Sequence, residues 1–218
     1  MSDNEIVVYY SFHKRTDKKN LNIEPNNLLK YLLSIKNDNN NDIFFCPSII
    51  ERVKQIFYFN ALEDISIDKN LRKTSGEVLD NGTHFLLEYQ LLMFSLTPLN
   101  VLISDPFFHS RKNVGFFAAP SILDINQKFR PIQFSFIVFS DKLKILKDEP
   151  LLYLEFLTDK KIVFKSVQLF DKHFDLIDVF DSAAARECKK YKSLKENYFN
   201  FQEKKEKLIT LFKEEYDE

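Results

Sequence analysis

Residues 131–140 read Pro131-Ile132-Gln133-Phe134-Ser135-Phe136-Ile137-Val138-Phe139-Ser140. Ile132, Phe134, Phe136 and Val138 alternate with Gln133 and Ser135, so the apolar set falls on one face of a β-strand. The pattern continues toward the C-terminus. Residues 142–146 alternate Leu143 and Ile145 on one side with Lys142 and Lys144 on the other, residues 150–157 are almost wholly apolar, and residues 161–170 complete the series of strands. Thr158-Asp159-Lys160-Lys161 reads as a hairpin turn joining the last two strands.

The same texture extends toward the N-terminus. Residues 100–104 read as a strand. Residues 85–96 are mostly apolar, as in a strand buried on both faces or bent by a bulge. Thr97-Pro98 and Asp80-Asn81-Gly82 are turn signals. Residues 5–12 predict a first strand through Val7, Val8, Tyr9, Tyr10 and Phe12, and residues 56–59 and 65–67 predict two more. Leu28, Leu29, Leu32 and Leu33 recur at helical spacing over 26–35, with Asn26 or Asn27 as N-cap. An Asn-rich loop, 36–42, and a short buried strand, 43–46, follow. Ser48 and Glu51 form a Ser-x-x-Glu capping box that opens a helix ending near Lys54.

Strand after strand without intervening helices implies a mainly β fold: an antiparallel sandwich, a jelly roll or a β-clip-like barrel, with short N-terminal helices. A parallel α/β fold needs a helix between most strands.

Residues 183–215 predict a long C-terminal helix capped by Ser182. Tyr191, Leu194, Tyr198, Phe201, Leu208 and Phe212 fall on a seven-residue repeat interrupted by Lys205. Such a seam suits either a coiled coil between copies of the chain or a helix docked on its own β domain. The expected division is a β-rich domain over 1–181 and a helix over 182–218.

Composition narrows the function classes. With 31 basic against 32 acidic residues the net charge is −1, which argues against a nucleic-acid binder. Three glycines in the whole chain are too few for a phosphate-cradling glycine loop. Cys46 and Cys188 stand far apart and belong to no ligand-spaced pair. They read as free thiols in a reducing compartment, or as a bridge only in an oxidising one. Met1-Ser2-Asp3-Asn4-Glu5 lacks the features of a secretory leader, and no apolar run is long enough for a bilayer. A cytoplasmic protein is therefore expected, without membrane contact and with self-association or a protein partner through the C-terminal helix. No cofactor is implied.

Of the four histidines, His84 and His109 with Glu88 and Asp105 are the one nearby set that offers two histidines and a carboxylate, and their spacing lacks the usual strand-borne metal pairing. No metal site is expected. Asp105-Pro106-Phe107-Phe108-His109 is the most distinctive loop. Phe107, Phe108 and His109, with Arg111 and Lys112 behind them, suit the rim of a pocket for an anion or a base; a packed Phe pair with exposed charges accounts for the same residues.

Two resemblances bear on these residues. Phe107-Phe108-His109, Ile125-x-x-x-Phe129-Arg130-Pro131-Ile132 and Asp148-Glu149-Pro150-Leu151-x-Tyr153-x-x-Phe156-x-Thr158-Asp159-x-Lys161 resemble a family of proteins of no assigned activity encoded by tailed, mostly marine, phages. That resemblance spans about residues 85–170. It implies a viral, host-cytoplasmic origin and carries no function over. The role expected from the residues themselves is a non-enzymatic binding or assembly protein, because the β core lacks a convincing catalytic set and the C-terminal helix can mediate association; a minor structural component of the virion is the alternative.

A second resemblance is to the β-clip fold of dUTPases and dCTP deaminases. Ile122-Leu123-Asp124 precedes Phe129-Arg130, and residues 143–147 lead into Pro150-Leu151-Leu152-Tyr153-Leu154. The resemblance implies a nucleotide-handling enzyme in which Asp124 activates water and Arg130 stays near the phosphates. This chain departs from that pattern: Pro131 replaces the glycine after Arg130, Tyr153 replaces a glutamine, and the glycine-rich phosphate-clamping tail is missing.

Overall fold

The computed structural model describes residues 4–14, 20–39, 46–68, 78–79, 82–109, 116–126, 131–139, 142–169, 206–207 and 210. They form a mainly β structure. The first part of the chain supplies β1 (Glu5–Lys14), β2 (Asn20–Leu21), β3 (Asn26–Asn27), α1 (Leu28–Asn39), α2 (Pro47–Val53), β4 (Ile56–Asn60) and β5 (Ile65–Asp68). Then come β6 (Val78–Leu79), β7 (Gly82–Ser95), β8 (Asn100–Ser104), β9 (Phe116–Ala118) and β10 (Ser121–Asp124). The last strands are β11 (Ile132–Val138), β12 (Lys142–Ile145), β13 (Pro150–Phe156) and β14 (Lys161–Ser166).

One sheet runs β14-β1-β7-β11-β9, with β2 beside β1 and β6 beside β7. A second runs β10-β8-β13-β4-β3, and β12 pairs with β5 in a two-stranded ribbon. Alternation decides what each sheet buries. Val8, Tyr10 and Phe12 of β1, Leu91 and Met93 of β7, and Phe134 and Phe136 of β11 face Phe59, Val101, Ile103, Leu154 and Phe156 of the second sheet in one core. Phe12 lies near its middle, with ring centroids 5.4 Å from Phe59, 5.6 Å from Tyr89 and 5.4 Å from Phe134.

The opposite face of the second sheet carries Ile56, Tyr58 and Tyr153, and these pack with Leu28 and Leu32 of α1 and Val53 of α2. That sheet is thus largely apolar on both faces at β4 and β13, which is why residues 150–157 are apolar at every position except Glu155.

Several expectations are met residue for residue. β8 covers 100–104 as read, and β11 keeps the period-two face of residues 132–138. Asn27 caps α1, its Oδ1 accepting from the Lys30 N–H at 3.3 Å.

Other expectations are corrected. Residues 158–161 do not join a hairpin. β13 lies in the second sheet, whereas β14 crosses to the first and pairs in parallel with β1, Glu5 opposite Lys161. The first sheet is therefore mixed and not antiparallel throughout. β12 joins β5 and neither large sheet, while β9 and β10 arise where no strand was expected.

Ser48 and Glu51 form no capping box. Cys46 is the N-cap of α2 without a side-chain cap, Pro47 occupies the first turn, the Ser48 hydroxyl meets the Cys46 thiol, and Glu51 pairs with Lys54. Proline is favoured there because its missing N–H has no partner to lose. Asn26 belongs to β3, and α1 runs on through Asn39, four residues past the expected end.

The strand expected at 43–46 lies largely outside the described residues, as do Arg111, Arg130, Cys188 and the seam Tyr191, Leu194, Tyr198, Phe201, Leu208 and Phe212. Within the C-terminal segment, Glu206, Lys207 and Thr210 are helical and exposed. Among the described residues, no helix is long and apolar enough to cross a membrane.

Candidate functional site

The loop that follows β8 folds back over the outer face of the second sheet. Pro106 makes the reversal: the Phe107 N–H donates to the Asp105 carbonyl at 2.9 Å and the His109 N–H to the Pro106 carbonyl at 3.1 Å. Asp105 ties the loop to the neighbouring strand, its Oδ1 accepting from the Ala118 N–H at 2.8 Å. The chain therefore presents Phe107, Phe108 and His109 to side chains from four other elements.

His109 goes deepest. Its ring stacks on Tyr31 of α1 with centroids 4.0 Å apart and planes 17° from parallel, and meets Tyr58 of β4 edge-on at 4.8 Å. Its Nδ1 shares a hydrogen bond with the hydroxyl of Tyr153, which is fully buried on β13. Burial, and secondarily the nearness of Tyr31, pushes the Tyr58 phenol above the ordinary tyrosine range. Phe108 packs beside this cluster, half-buried against the α1 side.

Phe107 remains at the surface, 53% exposed. Its ring leans edge-on to Tyr153 at 5.3 Å and touches Phe108 at 4.7 Å. The Arg52 guanidinium of α2 lies 5.8 Å from the Phe107 centroid, a cation–π distance. Arg52 is itself held by two parallel bonds of 2.8 Å to Glu155 of β13. That carboxylate raises the guanidinium's already high pKa, so Arg52 is a fixed cation.

Cross-strand register shows what lies beside this cluster. Leu102 stands opposite both Glu155 and Ile122, so all three share the outer face. Ile122 is 60% exposed, and Leu157, one step past β13 on the same face, is 49% exposed. α1 and α2 cover the β4 half of this sheet. The β8–β10 half is left with Phe107, Leu102, Ile122 and Leu157 as an apolar strip.

The loop residues singled out from the sequence, Phe107, Phe108 and His109, do come together. Tyr31, Arg52, Tyr58, Tyr153 and Glu155, which complete the cluster, have no sequence signal: they come from α1, α2, β4 and β13, and only the sheet register and the helix docking unite them. Asp124 stands at the end of β10, and its Oδ1 accepts the Asn126 N–H at 3.0 Å, the geometry of a turn-stabilising aspartate. Among the described residues, no group of three His, Cys, Asp or Glu side chains is placed to hold a metal ion.

No protein-family model matches the chain, and no curated protein is significantly similar to it.

Proposed function

We propose that this chain is a non-enzymatic binding protein that engages a protein partner through the outer face of its five-stranded sheet. One observation carries the reading: Phe107, Ile122 and Leu157, each about half exposed or more, gather on the half of the face that the helices leave open. Isolated exposed apolar residues are ordinary, whereas an apolar strip with a fixed arginine beside an aromatic anchor matches the make-up of interface centres. The cluster beneath supports it. Phe107 rests on ordered aromatic rings and Arg52 is pinned by Glu155, so little side-chain freedom is left to lose on binding.

The likeness to tailed-phage proteins supports an infected bacterial cell, or the particle itself, as the setting in which the partner is sought. The test compares affinity captures from infected cells using the wild-type chain, a Phe107→Asp and Ile122→Asp double variant, and a Leu33→Asp control on the exposed side of α1. A partner retained by wild type and control and lost by the double variant supports the reading. An identical set of captured proteins from all three baits removes it.

A further inference from the structure

The seven-stranded sheet also has an outer face, and it is buried. Register places Tyr9 opposite Phe94, Ser11 opposite Leu92 and His13 opposite Gln90, all pointing away from the shared core. Leu92 is completely inaccessible, and Tyr9, Ser11, His13, Gln90 and Phe94 are nearly so. Tyr9 stacks on Phe94 with centroids 5.0 Å apart, and His13 Nε2 meets Gln90 Oε1 at 3.2 Å. Strands cannot bury their own outward side chains to this degree. Among the described residues, α1 and α2 lie on the other sheet, so neither accounts for it.

We propose that this face is the docking site of the chain's own C-terminal segment, residues 182–218, through the seam Tyr191, Leu194, Tyr198, Phe201, Leu208 and Phe212. Three observations converge. First, the chain is delivered to this face. After β14 the Val167 N–H donates to the Tyr10 carbonyl at 2.8 Å, and Asn20 clamps Leu169, its Nδ2 donating to the Leu169 carbonyl at 2.7 Å and its Oδ1 accepting the Leu169 N–H at 3.3 Å. The same Oδ1 accepts from the Ser11 hydroxyl, which belongs to the buried face.

Second, helix geometry gives the segment the right sidedness. At 100° per residue Leu208, Phe212 and Phe201 fall within a narrow arc, and Glu206, Lys207 and Thr210 fall on the opposite side. Those three are helical and exposed. Third, the chemistry matches. The face offers Leu92, Phe94 and the Tyr9 ring, and the seam supplies aromatic and leucine side chains.

The chain contains no tryptophan, so Phe94→Trp puts a unique fluorophore on the face. In the full-length protein its emission is expected to be blue-shifted, weakly quenched by iodide and independent of protein concentration, with light scattering giving a monomer. Adding Leu208→Asp and Phe212→Asp is expected to shift the emission to the red and raise iodide quenching several-fold, while Thr210→Asp does neither. Hydrogen exchange on the wild-type chain guards against an indole that fails to pack: amides of residues 9–13 and 90–94 are expected among the slowest. A water-exposed indole signal from the Phe94→Trp variant together with fast exchange in the wild-type chain overturns the proposal, and so does indifference to the seam substitutions. Protection that appears only with a dimer mass and is lost on dilution overturns it in favour of a coiled coil between copies.

Discussion

The imidazole of His109 lies flat on the phenol ring of Tyr31, with centroids 4.0 Å apart, although the two residues sit on a loop and a helix 78 positions apart in the chain. This contact joins the loop after β8 to α1. Replacing His109 by Ala removes the stack, the edge contact with Tyr58 and the bond to Tyr153. We expect a loss of about 1–3 kcal/mol, the range for deleting a well-packed aromatic contact with a hydrogen bond. His109→Phe keeps the stack and is expected to recover part of it. Urea denaturation midpoints of the two variants provide the check, and equal losses would show that stacking contributes nothing.

Arg52 and Glu155 make a two-bonded pair in which the arginine side chain is 53% exposed and the glutamate 12%. Exposure discounts the attraction, so Arg52→Ala is expected to cost about 1 kcal/mol or less, most of it from the carboxylate left behind in a mostly buried position. Arg52→Lys keeps the charge and loses the planar fork, so it should not restore the wild-type value. A double-mutant cycle with Glu155→Gln, read by thermal melting at low and high salt, isolates the pair.

Phe12 is packed on three sides by the rings of Phe59, Tyr89 and Phe134. The two sheets meet at this point, so neighbouring strands have little room to collapse into the space it vacates. Phe12→Ala is expected to destabilise by about 3–5 kcal/mol, the upper range for core truncations. Phe12→Leu should cost distinctly less. Calorimetric unfolding of both variants tests the ranking.

Tyr58 and Tyr10 hold their phenols above the ordinary tyrosine value because burial disfavours the phenolate. In the unfolded chain these groups release their protons near pH 10. Above that pH the folded state retains protons that the unfolded state has lost, so stability falls as pH rises through the folded values. Below about pH 10 both states are protonated and the contribution is complete. Tyr58→Phe should flatten the alkaline fall without changing the slope at neutral pH. Denaturation midpoints measured from neutral to strongly alkaline pH decide the matter, and an unchanged alkaline slope would rule Tyr58 out as a contributor.

Local patterning was sufficient wherever one face of an element meets the core and the other does not. Ile132, Phe134, Phe136 and Val138 declare β11 by alternation alone, Asn100 and Ser104 bound β8, and the pair Asn26-Asn27 marks the start of α1, the cap falling to Asn27. It was insufficient wherever the outcome depends on which distant segment lies alongside. Thr158, Asp159 and Lys160 say that the chain bends, but the same residues serve a hairpin or a crossover, and only the parallel pairing of β14 with β1, sealed by Lys161 on Glu5 at 2.7 Å, decides for the crossover.

The site divides along the same line. Phe107, Phe108 and His109 are neighbours in the chain, and their unusual run is visible as such. Tyr31, Arg52, Tyr58 and Tyr153 join them through cross-strand register and helix docking, which are set by the sum of long-range burial between the two sheets and leave no mark at any single position. The sequence by itself determined which residues form most of the strands and which loop is chemically distinctive, because both depend on near neighbours. The tertiary structure alone decided the mixed sheet, the crossover and the membership of the aromatic cluster, because these depend on contacts between segments far apart in the chain.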